Sequence, residues 1–269
     1  MNYSNLPNFL KVGKTAAHTT GAYLRQKLGE AKVKYPKTIH DDLLDADLEA
    51  EHIILDLLRS ATPELEILSE ETPTAITSDN YWIVDPLDGS ANFQHGSLLF
   101  AVTIALVLNN TTMASIIYLP MQEETFTAIR NQGAFLNDQP IHVSNTKTLE
   151  KSIAHLGDFA KGNDIQTTYE YTNDILELIT KVYRVRMIGT AATDLAYVAC
   201  GRADLLINHA TKPWDVEAGK LLLLEAGGKT TTKYTKNRAI NIYSNNYIHQ
   251  EAIHAIISSS PDQVFSDPI

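Results

Sequence analysis

The chain has 269 residues, of which 44% are hydrophobic and 20% are charged, a balance typical of a globular protein with a sizeable core. Its formal charge of −10 argues against non-specific nucleic-acid binding and against docking on an anionic membrane. A single cysteine, Cys200, leaves no partner for an internal disulfide and no cysteine zinc site. Residues 1–10 lack a signal-peptide pattern, and the longest apolar run, residues 98–108, is too short to span a bilayer, so we expect a cytoplasmic protein.

Two amphipathic helices are predicted at the start of the chain. Apolar residues at roughly helical spacing predict the first over residues 6–28 and the second over residues 44–59, with Pro63 ending it. The segment between them is polar and contains Gly29 and Pro36, which is typical of an exposed connection.

Short β-type runs separated by turn residues follow the second helix. They predict an antiparallel meander of strands over residues 65–68, 81–84, 98–108, 113–118 and 125–129. After about Val143 the pattern alternates between predicted strands and helices: strands at 153–156, 183–188 and 203–207, helices at 169–181, 191–200 and 216–226. We therefore predict an α+β domain at residues 1–145, an α/β domain at residues 146–269, and a site in the crevice between them.

Two carboxylates come directly after a predicted buried strand. The apolar run that ends at Val84 is followed by Asp85 and Asp88, and then at once by Gly89 and Ser90. An ordinary turn is one interpretation, since Asp, Pro and Gly all favour turns. Charges at the end of a buried strand are costly unless something pairs with them, and a divalent cation meets that need. The backbone N–H groups of Gly89 and Ser90 would then hold a phosphate.

Three further acidic groups lie where a strand ends or a helix begins: Glu70 with Glu71, Asp45 with Asp47, and Asp215. Taken singly, a solvated loop accounts for the first group and helix caps account for the other two. Taken together with Asp85 and Asp88 they fit Mg²⁺, because this hard cation takes oxygen ligands and reaches the protein through a few carboxylates. A second ion beside the first would bridge the attacking and leaving oxygens of a phosphoryl transfer, which indicates phosphate-ester hydrolysis.

Several segments resemble the signature blocks of the inositol monophosphatase family. The blocks are Glu70-Glu71, the run Asp-Pro-Leu-Asp-Gly-Ser-Ala-Asn-Phe at 85–93, and Trp-Asp-Val-Glu-Ala-Gly at 214–219, with further matches at 189–192 and 225–228. The resemblance covers nearly the whole chain. It implies a Mg²⁺-dependent, lithium-sensitive phosphatase that folds as alternating layers of helix and sheet and forms a homodimer.

The resemblance also implies roles for individual residues. Two or three Mg²⁺ ions are implied, with ligands from Glu70, Asp85, the Leu87 carbonyl, Asp88 and Asp215. Glu70 would activate the attacking water, and Ser90 paired with Asp47 is the other candidate for that role. Contacts to the phosphate or the rest of the substrate are implied for Asp88, Gly89, Ser90, Ala191, Asn208 and Asp215.

The chain departs from the inositol-type members on the leaving-group side. Asn208 stands where those members have a Glu that contacts inositol hydroxyls, and Asp158 stands where a Ser is usual. An amide both donates and accepts, so it reads hydroxyl groups differently from a carboxylate. We expect a small phosphorylated polyol or sugar as substrate, inositol monophosphate first, with histidinol phosphate, fructose 1,6-bisphosphate, NADP and 3′-phosphoadenosine phosphates as alternatives. A regulatory, partner-binding member of the fold is the alternative of another class.

Overall fold

The computed structural model describes residues 5–38, 41–158, 165–209, 211–235, 238–256 and 263–266. Its helices are α1 (Leu6–Lys27), α2 (Asp45–Ala61), α3 (Ser90–Gln94), α4 (Ile165–Lys181), α5 (Ala191–Ala199), α6 (Pro213–Glu225) and α7 (His249–Ala255), with a 3₁₀ turn at Leu149–Lys151. Its strands are β1 (Val33–Thr38), β2 (Asp41–Leu44), β3 (Glu66–Ser69), β4 (Tyr81–Asp88), β5 (Ala101–Leu108), β6 (Thr111–Leu119), β7 (Glu124–Ile129), β8 (Ala134–Leu136), β9 (Gln139–Ile141), β10 (Ile153–Leu156), β11 (Arg184–Arg186), β12 (Leu205–His209), β13 (Lys229–Thr235), β14 (Arg238–Ser244) and β15 (Gln263–Ser266).

These strands form three sheets. Strands β1 and β2 pair with each other as a hairpin. The seven-stranded sheet follows chain order from β3 to β9, with β3 parallel to β4 and every later pair antiparallel. The six-stranded sheet has the order β11-β10-β12-β14-β13-β15, in which β10, β11 and β12 are parallel. Since parallel strands end at the same edge, the loops after these three strands lie together.

Helices and sheets alternate in five layers, because successive residues of a strand face opposite sides of the sheet. In β4, Val84 packs with α1 and α2, whereas Ile83 packs with α5 and α6. In β12, Leu206 faces the same α5–α6 layer and Ile207 faces α4 and α7. Helices α5 and α6 therefore lie between the two large sheets, and the other long helices cover their outer faces. The expected layered fold is confirmed.

Three details differ from the sequence prediction. The polar connection after α1 is not a plain loop, because residues 33–38 and 41–44 form the paired strands β1 and β2. The predicted meander is antiparallel only from β4 onward, since the long link at residues 70–80 lets β3 run parallel to β4. The predicted turn after Val84 is a bulge within β4, where the pairing register shifts between Asp85 and Asp88. Strands β8, β9 and β13 to β15 and helices α3 and α7 were not predicted.

The division into domains 1–145 and 146–269 stays a prediction. The chain passes from the seven-stranded to the six-stranded sheet between Ile141 and Ile153, but α5 and α6 pack on both sheets. Within the described ranges, no helix has the length and apolar character needed to cross a membrane.

Candidate metal centre

Three carboxylates that are distant in the chain converge at one point. Glu70 follows β3, Asp85 lies in β4 and Asp215 lies in the first turn of α6. One oxygen of each lies within 4.8 Å of the others. The parallel register explains part of this convergence: Ser69 pairs with Val84, so Glu70 and Asp85 follow at the same edge of the sheet. Three carboxylates in so small a space repel one another unless a cation or protons compensate them.

Asp85 is the buried member of the cluster, at 2% exposure. Burial raises its pKa well above the usual range, and the charges of Glu70, Asp88 and Asp215 raise it further. Its Oδ1 accepts a hydrogen bond of 2.9 Å from the Leu87 N–H, made possible by the bulge in β4. A backbone bond therefore holds the carboxylate in one orientation.

Asp88 is held from the other half of the chain. Its Oδ2 accepts a bond of 2.7 Å from the N–H of Ala192, and the hydroxyl of Thr190 donates to the same oxygen. Thr190 caps α5, so this carboxylate sits at the positive end of a helix. Burial raises the pKa of Asp88 to about 7, against the lowering effect of the Thr190 hydrogen bond. With Oδ2 engaged, Oδ1 is the oxygen of Asp88 best suited to a metal ion.

Gly89 and Ser90 begin the short helix α3. Gly89 adopts a left-handed conformation with φ of 95°, and a Cβ there would lie 3.2 Å from the Cβ of Thr190. The sequence therefore needs glycine here. The Ser90 hydroxyl lies 3.1 Å from Oδ1 of Asp47 and 3.0 Å from the Leu87 carbonyl. The pairing of Ser90 with Asp47 that the resemblance implies is therefore present.

Asp47 belongs to the first turn of α2 and is 1% exposed. Its second oxygen, Oδ2, accepts a bond of 2.7 Å from the Leu44 N–H. Burial raises the pKa of Asp47 to about 6, although the Leu44 bond opposes the shift. One carboxylate thus caps a helix and faces Ser90 at the same time.

Lys37 lies in the segment that the sequence predicts as an exposed connection, where a solvated charge is the ordinary interpretation of a lysine. The β1–β2 hairpin brings its Nζ to 3.1 Å from Oε1 of Glu70 and to 2.6 Å from Oε1 of Glu71. Burial disfavours the charged form of Lys37, but both carboxylates outweigh this effect and its pKa is raised. The side chain of Glu71 is only 4% exposed, and burial raises its pKa to about 7. The contacts of Lys37 with both carboxylates make it a functional candidate and not merely a solvated charge.

The loops after the three parallel strands lie at one edge of the six-stranded sheet. Gly157 follows β10, Ala191 begins α5 after β11, and Asn208 lies near the end of β12. Asn208 is 3% exposed, and its amide packs so closely on Gly157 that a Cβ there would lie 2.5 Å from Oδ1. Among the described residues, Oδ1 of Asn208 has no hydrogen-bond partner. Asp158, by contrast, is exposed.

The donor set fits a hard cation. Glu70, Asp85 and Asp215 offer carboxylate oxygens, and the Leu87 carbonyl follows Asp85 in the bulge. Oxygen donors alone, with no sulfur or imidazole in the cluster, are those that Mg²⁺ prefers. A bound cation would relieve the mutual repulsion of the three carboxylates, which favours its binding.

The chain is similar to known proteins over most of its length. The model of the inositol monophosphatase family matches residues 5–262. An inositol monophosphatase of Mesembryanthemum crystallinum is 37% identical over 229 residues, covering 83% of this chain and 84% of that protein. A fructose-1,6-bisphosphatase/inositol-1-monophosphatase of Thermotoga maritima is 32% identical over 224 residues, covering 80% and 82%. The crystal structure of extragenic suppressor protein suhB from Bartonella henselae superposes with a TM-score of 0.85 at 34% identity, covering 94% of this chain and 100% of that one.

Proposed function

The chain belongs to the inositol monophosphatase family and is a phosphatase, and from that premise we propose a Mg²⁺-dependent phosphomonoesterase of a small phosphorylated polyol or sugar. Inositol monophosphate is the leading substrate. The observation that carries the proposal is the convergence of carboxylate oxygens from Glu70, Asp85 and Asp215 within 4.8 Å of one another. A phosphate dianion would be repelled by these acids, so the acids need a cation before they can serve a phosphatase.

The ligands are assigned as the resemblance implies. Glu70, Asp85 and the Leu87 carbonyl would hold one ion; Asp85, Asp88 and Asp215 would hold a second; and Glu70 would help to place a third. Bound Mg²⁺ supplies positive charge that neutralises the phosphate and promotes ionisation of the attacking water.

The protein groups complete the reaction. The Glu70 carboxylate orients the water and accepts its proton. The Ser90 hydroxyl, held by Asp47 at 3.1 Å, is the alternative group for orienting that water. The backbone N–H groups of Gly89 and Ser90 donate to the phosphate oxygens. Water attacks phosphorus in line with the leaving oxygen as the bond between phosphorus and that oxygen breaks, and the departing alkoxide takes up a proton from water; no covalent phosphoenzyme forms.

The leaving group would lie against Ala191 and Asn208. The amide of Asn208 is buried and its Oδ1 has no partner among the described residues, so it is available to a substrate hydroxyl. An amide in place of a carboxylate leaves other small phosphate esters as alternatives, namely histidinol phosphate, fructose 1,6-bisphosphate, NADP and 3′-phosphoadenosine phosphates.

A panel of these phosphate esters tests the proposal. Purified protein should release phosphate only when Mg²⁺ is present, millimolar lithium should suppress the release, and inositol monophosphate should give the highest kcat/KM. Asp88→Asn should lose most of the activity, whereas Asp56→Asn, which changes a carboxylate that is 60% exposed on α2, should keep it. Release in the presence of a chelator, or full activity of Asp88→Asn, would contradict the metal assignment.

We also propose that the protein is a cytoplasmic homodimer without nucleic-acid or membrane partners. The negative charge of the chain and the resemblance to the family support this proposal. Sedimentation of the purified protein tests the dimer, and a mass equal to one chain at micromolar concentration would contradict it. The alternative is a regulatory role in which the protein binds a partner. Such a partner should still bind the Asp88→Asn variant, which lacks most of the activity.

A further inference from the structure

Thr103 lies directly opposite Asp85 in the seven-stranded sheet. The two residues are Cα partners of the antiparallel strands β4 and β5. Partners in an antiparallel pair point to the same face, so both side chains face the layer that contains α6. Thr103 is 2% exposed, and its hydroxyl donates a hydrogen bond of 3.1 Å to the carbonyl of Trp214.

This bond joins the two elements that carry the distant carboxylates. Trp214 immediately precedes Asp215 in the first turn of α6, whereas Thr103 is paired with the strand that carries Asp85. Apolar packing between α6 and the sheet is not directional, so it tolerates small shifts of the helix along the sheet. A hydrogen bond to a carbonyl is directional and opposes such shifts.

The orientation of the Asp215 side chain is fixed separately. Its Oδ2 accepts a bond of 2.9 Å from the Lys212 N–H, which closes the first turn of the helix. The Lys212 bond therefore sets where the carboxylate points relative to α6. The Thr103 bond sets where that turn lies relative to Asp85.

We propose that Thr103 is a positioning residue of the metal centre, whose hydroxyl holds the first turn of α6 so that Asp215 reaches the oxygens of Glu70 and Asp85. The inference rests on the proposed function, since it requires Mg²⁺ to be held by these carboxylates. Thr103 acts through the backbone of α6 and is not itself a ligand.

Two variants of Thr103 test this inference. Thr103→Val keeps the shape of the side chain and removes the hydroxyl, whereas Thr103→Ser keeps the hydroxyl. Calorimetric titration with Mg²⁺, without substrate, should show a Kd raised about tenfold in Thr103→Val, as is typical for residues that orient ligands. Thr103→Ser should restore the Kd to within roughly threefold of the original protein. A cooperative thermal unfolding transition in chelator is expected for both variants and establishes that each one folds.

Thr112, a residue of β6, provides a matched control because its hydroxyl also bonds to a residue of α6. Its hydroxyl donates a bond of 3.0 Å to Oε2 of Glu217, a side chain of α6, and not to the helix backbone. Thr112→Val should therefore bind Mg²⁺ as the original protein does. A Thr103→Val protein with unchanged Mg²⁺ affinity, or a Thr112→Val protein weakened to the same degree, would overturn the positioning role.

The two proposals fail in distinguishable ways. If the original protein binds no Mg²⁺, the proposed function fails and the role of Thr103 fails with it. If the original protein binds Mg²⁺ and hydrolyses phosphate esters while Thr103→Val binds Mg²⁺ equally well, the positioning role alone is wrong.

Discussion

Lys37 and Glu70 form an ion pair of 3.1 Å, which places a cation of the protein itself beside the carboxylate cluster. Glu71, almost fully buried, accepts from the same ammonium at 2.6 Å. The hairpin that carries Lys37 therefore partly neutralises the site before any metal binds. The same charge opposes the binding of a divalent cation.

Lys37→Gln should strengthen Mg²⁺ binding and lower the unfolding free energy of the metal-free protein. Removing one positive charge next to the ions should lower the Kd for Mg²⁺ by roughly fivefold, about 1 kcal/mol. The metal-free protein should lose about 1–3 kcal/mol of unfolding free energy, because the buried Glu71 loses its partner. Calorimetry and denaturant unfolding in chelator measure the two effects. The exposed Lys34 supplies the control, since Lys34→Gln should change neither, and weaker Mg²⁺ binding by Lys37→Gln would refute this account.

The sequence predicted the carboxylates better than it predicted what holds them. Glu70, Asp85 and Asp215 belong to recognisable blocks, and a cluster of acids at element ends has a specific chemical meaning. Thr103 was not predicted because a threonine in a strand has many ordinary roles, and the pairing of Lys37 with Glu70 and Glu71 was not predicted because a lysine in an exposed connection is most simply a solvated charge. Their contacts depend on a hairpin and on the docking of α6, neither of which leaves a local pattern.

A matching block can also have a structural role. Glu225 belongs to a segment that resembles the family pattern, and its carboxylate accepts from the N–H groups of Asn131, Gln132 and Gly133 at 2.7, 3.1 and 2.8 Å. Asn131 and Gly133 both have positive φ, so the turn after β7 is held by this carboxylate at the end of α6. The resemblance located the residue, and only the tertiary structure showed its role.

Asp85→Asn should abolish most of the phosphatase activity and stabilise the metal-free protein. The buried Asp85 carboxylate has a raised pKa because of burial and the neighbouring acids, so the neutral amide relieves a repulsion in the metal-free protein. Oδ1 of the amide can still accept the Leu87 N–H. We expect a higher Tm in chelator and a loss of phosphate release beyond about a hundredfold, since residues that merely orient ligands already cost about 10–100-fold. Asp56→Asn is the control for both measurements. A lower Tm for Asp85→Asn in chelator would show that the acids do not strain the fold.

His249 should make stability depend on pH below neutrality. It lies buried between Thr231 and Ser244, whose hydroxyls are 2.8 and 2.6 Å from its two ring nitrogens. Burial lowers its pKa to about 4, with a smaller contribution from the charge of Lys229. The unfolded chain binds a proton near pH 6.5 and the folded protein does not, so unfolding free energy falls as pH drops from 6.5 to 4. Below pH 4 this contribution stays constant.

Comparison with His249→Gln isolates this contribution. The variant should be less stable than the original protein at pH 7, because the buried hydrogen bonds of His249 with Thr231 and Ser244 are lost. The difference in unfolding free energy should shrink by at most ~1.4 kcal/mol per pH unit between pH 6.5 and 4. Urea unfolding at a series of pH values measures it. His254→Gln, on the exposed side of the same helix α7, should leave the profile unchanged, and a constant difference for His249→Gln would contradict the pKa shift.

Asn208 should govern the leaving group and not the phosphate. Asn208→Ala should raise KM for inositol monophosphate by about tenfold, the value of one hydrogen bond to a buried amide. Hydrolysis of p-nitrophenyl phosphate, whose leaving group has no aliphatic hydroxyl, should change little. This second substrate is therefore the control for each variant. Gly157→Ala should act in the same direction, because the added Cβ would lie 2.5 Å from Oδ1 of Asn208 and displace the amide. Equal losses on both substrates would show instead that Asn208 supports the fold or the phosphate site.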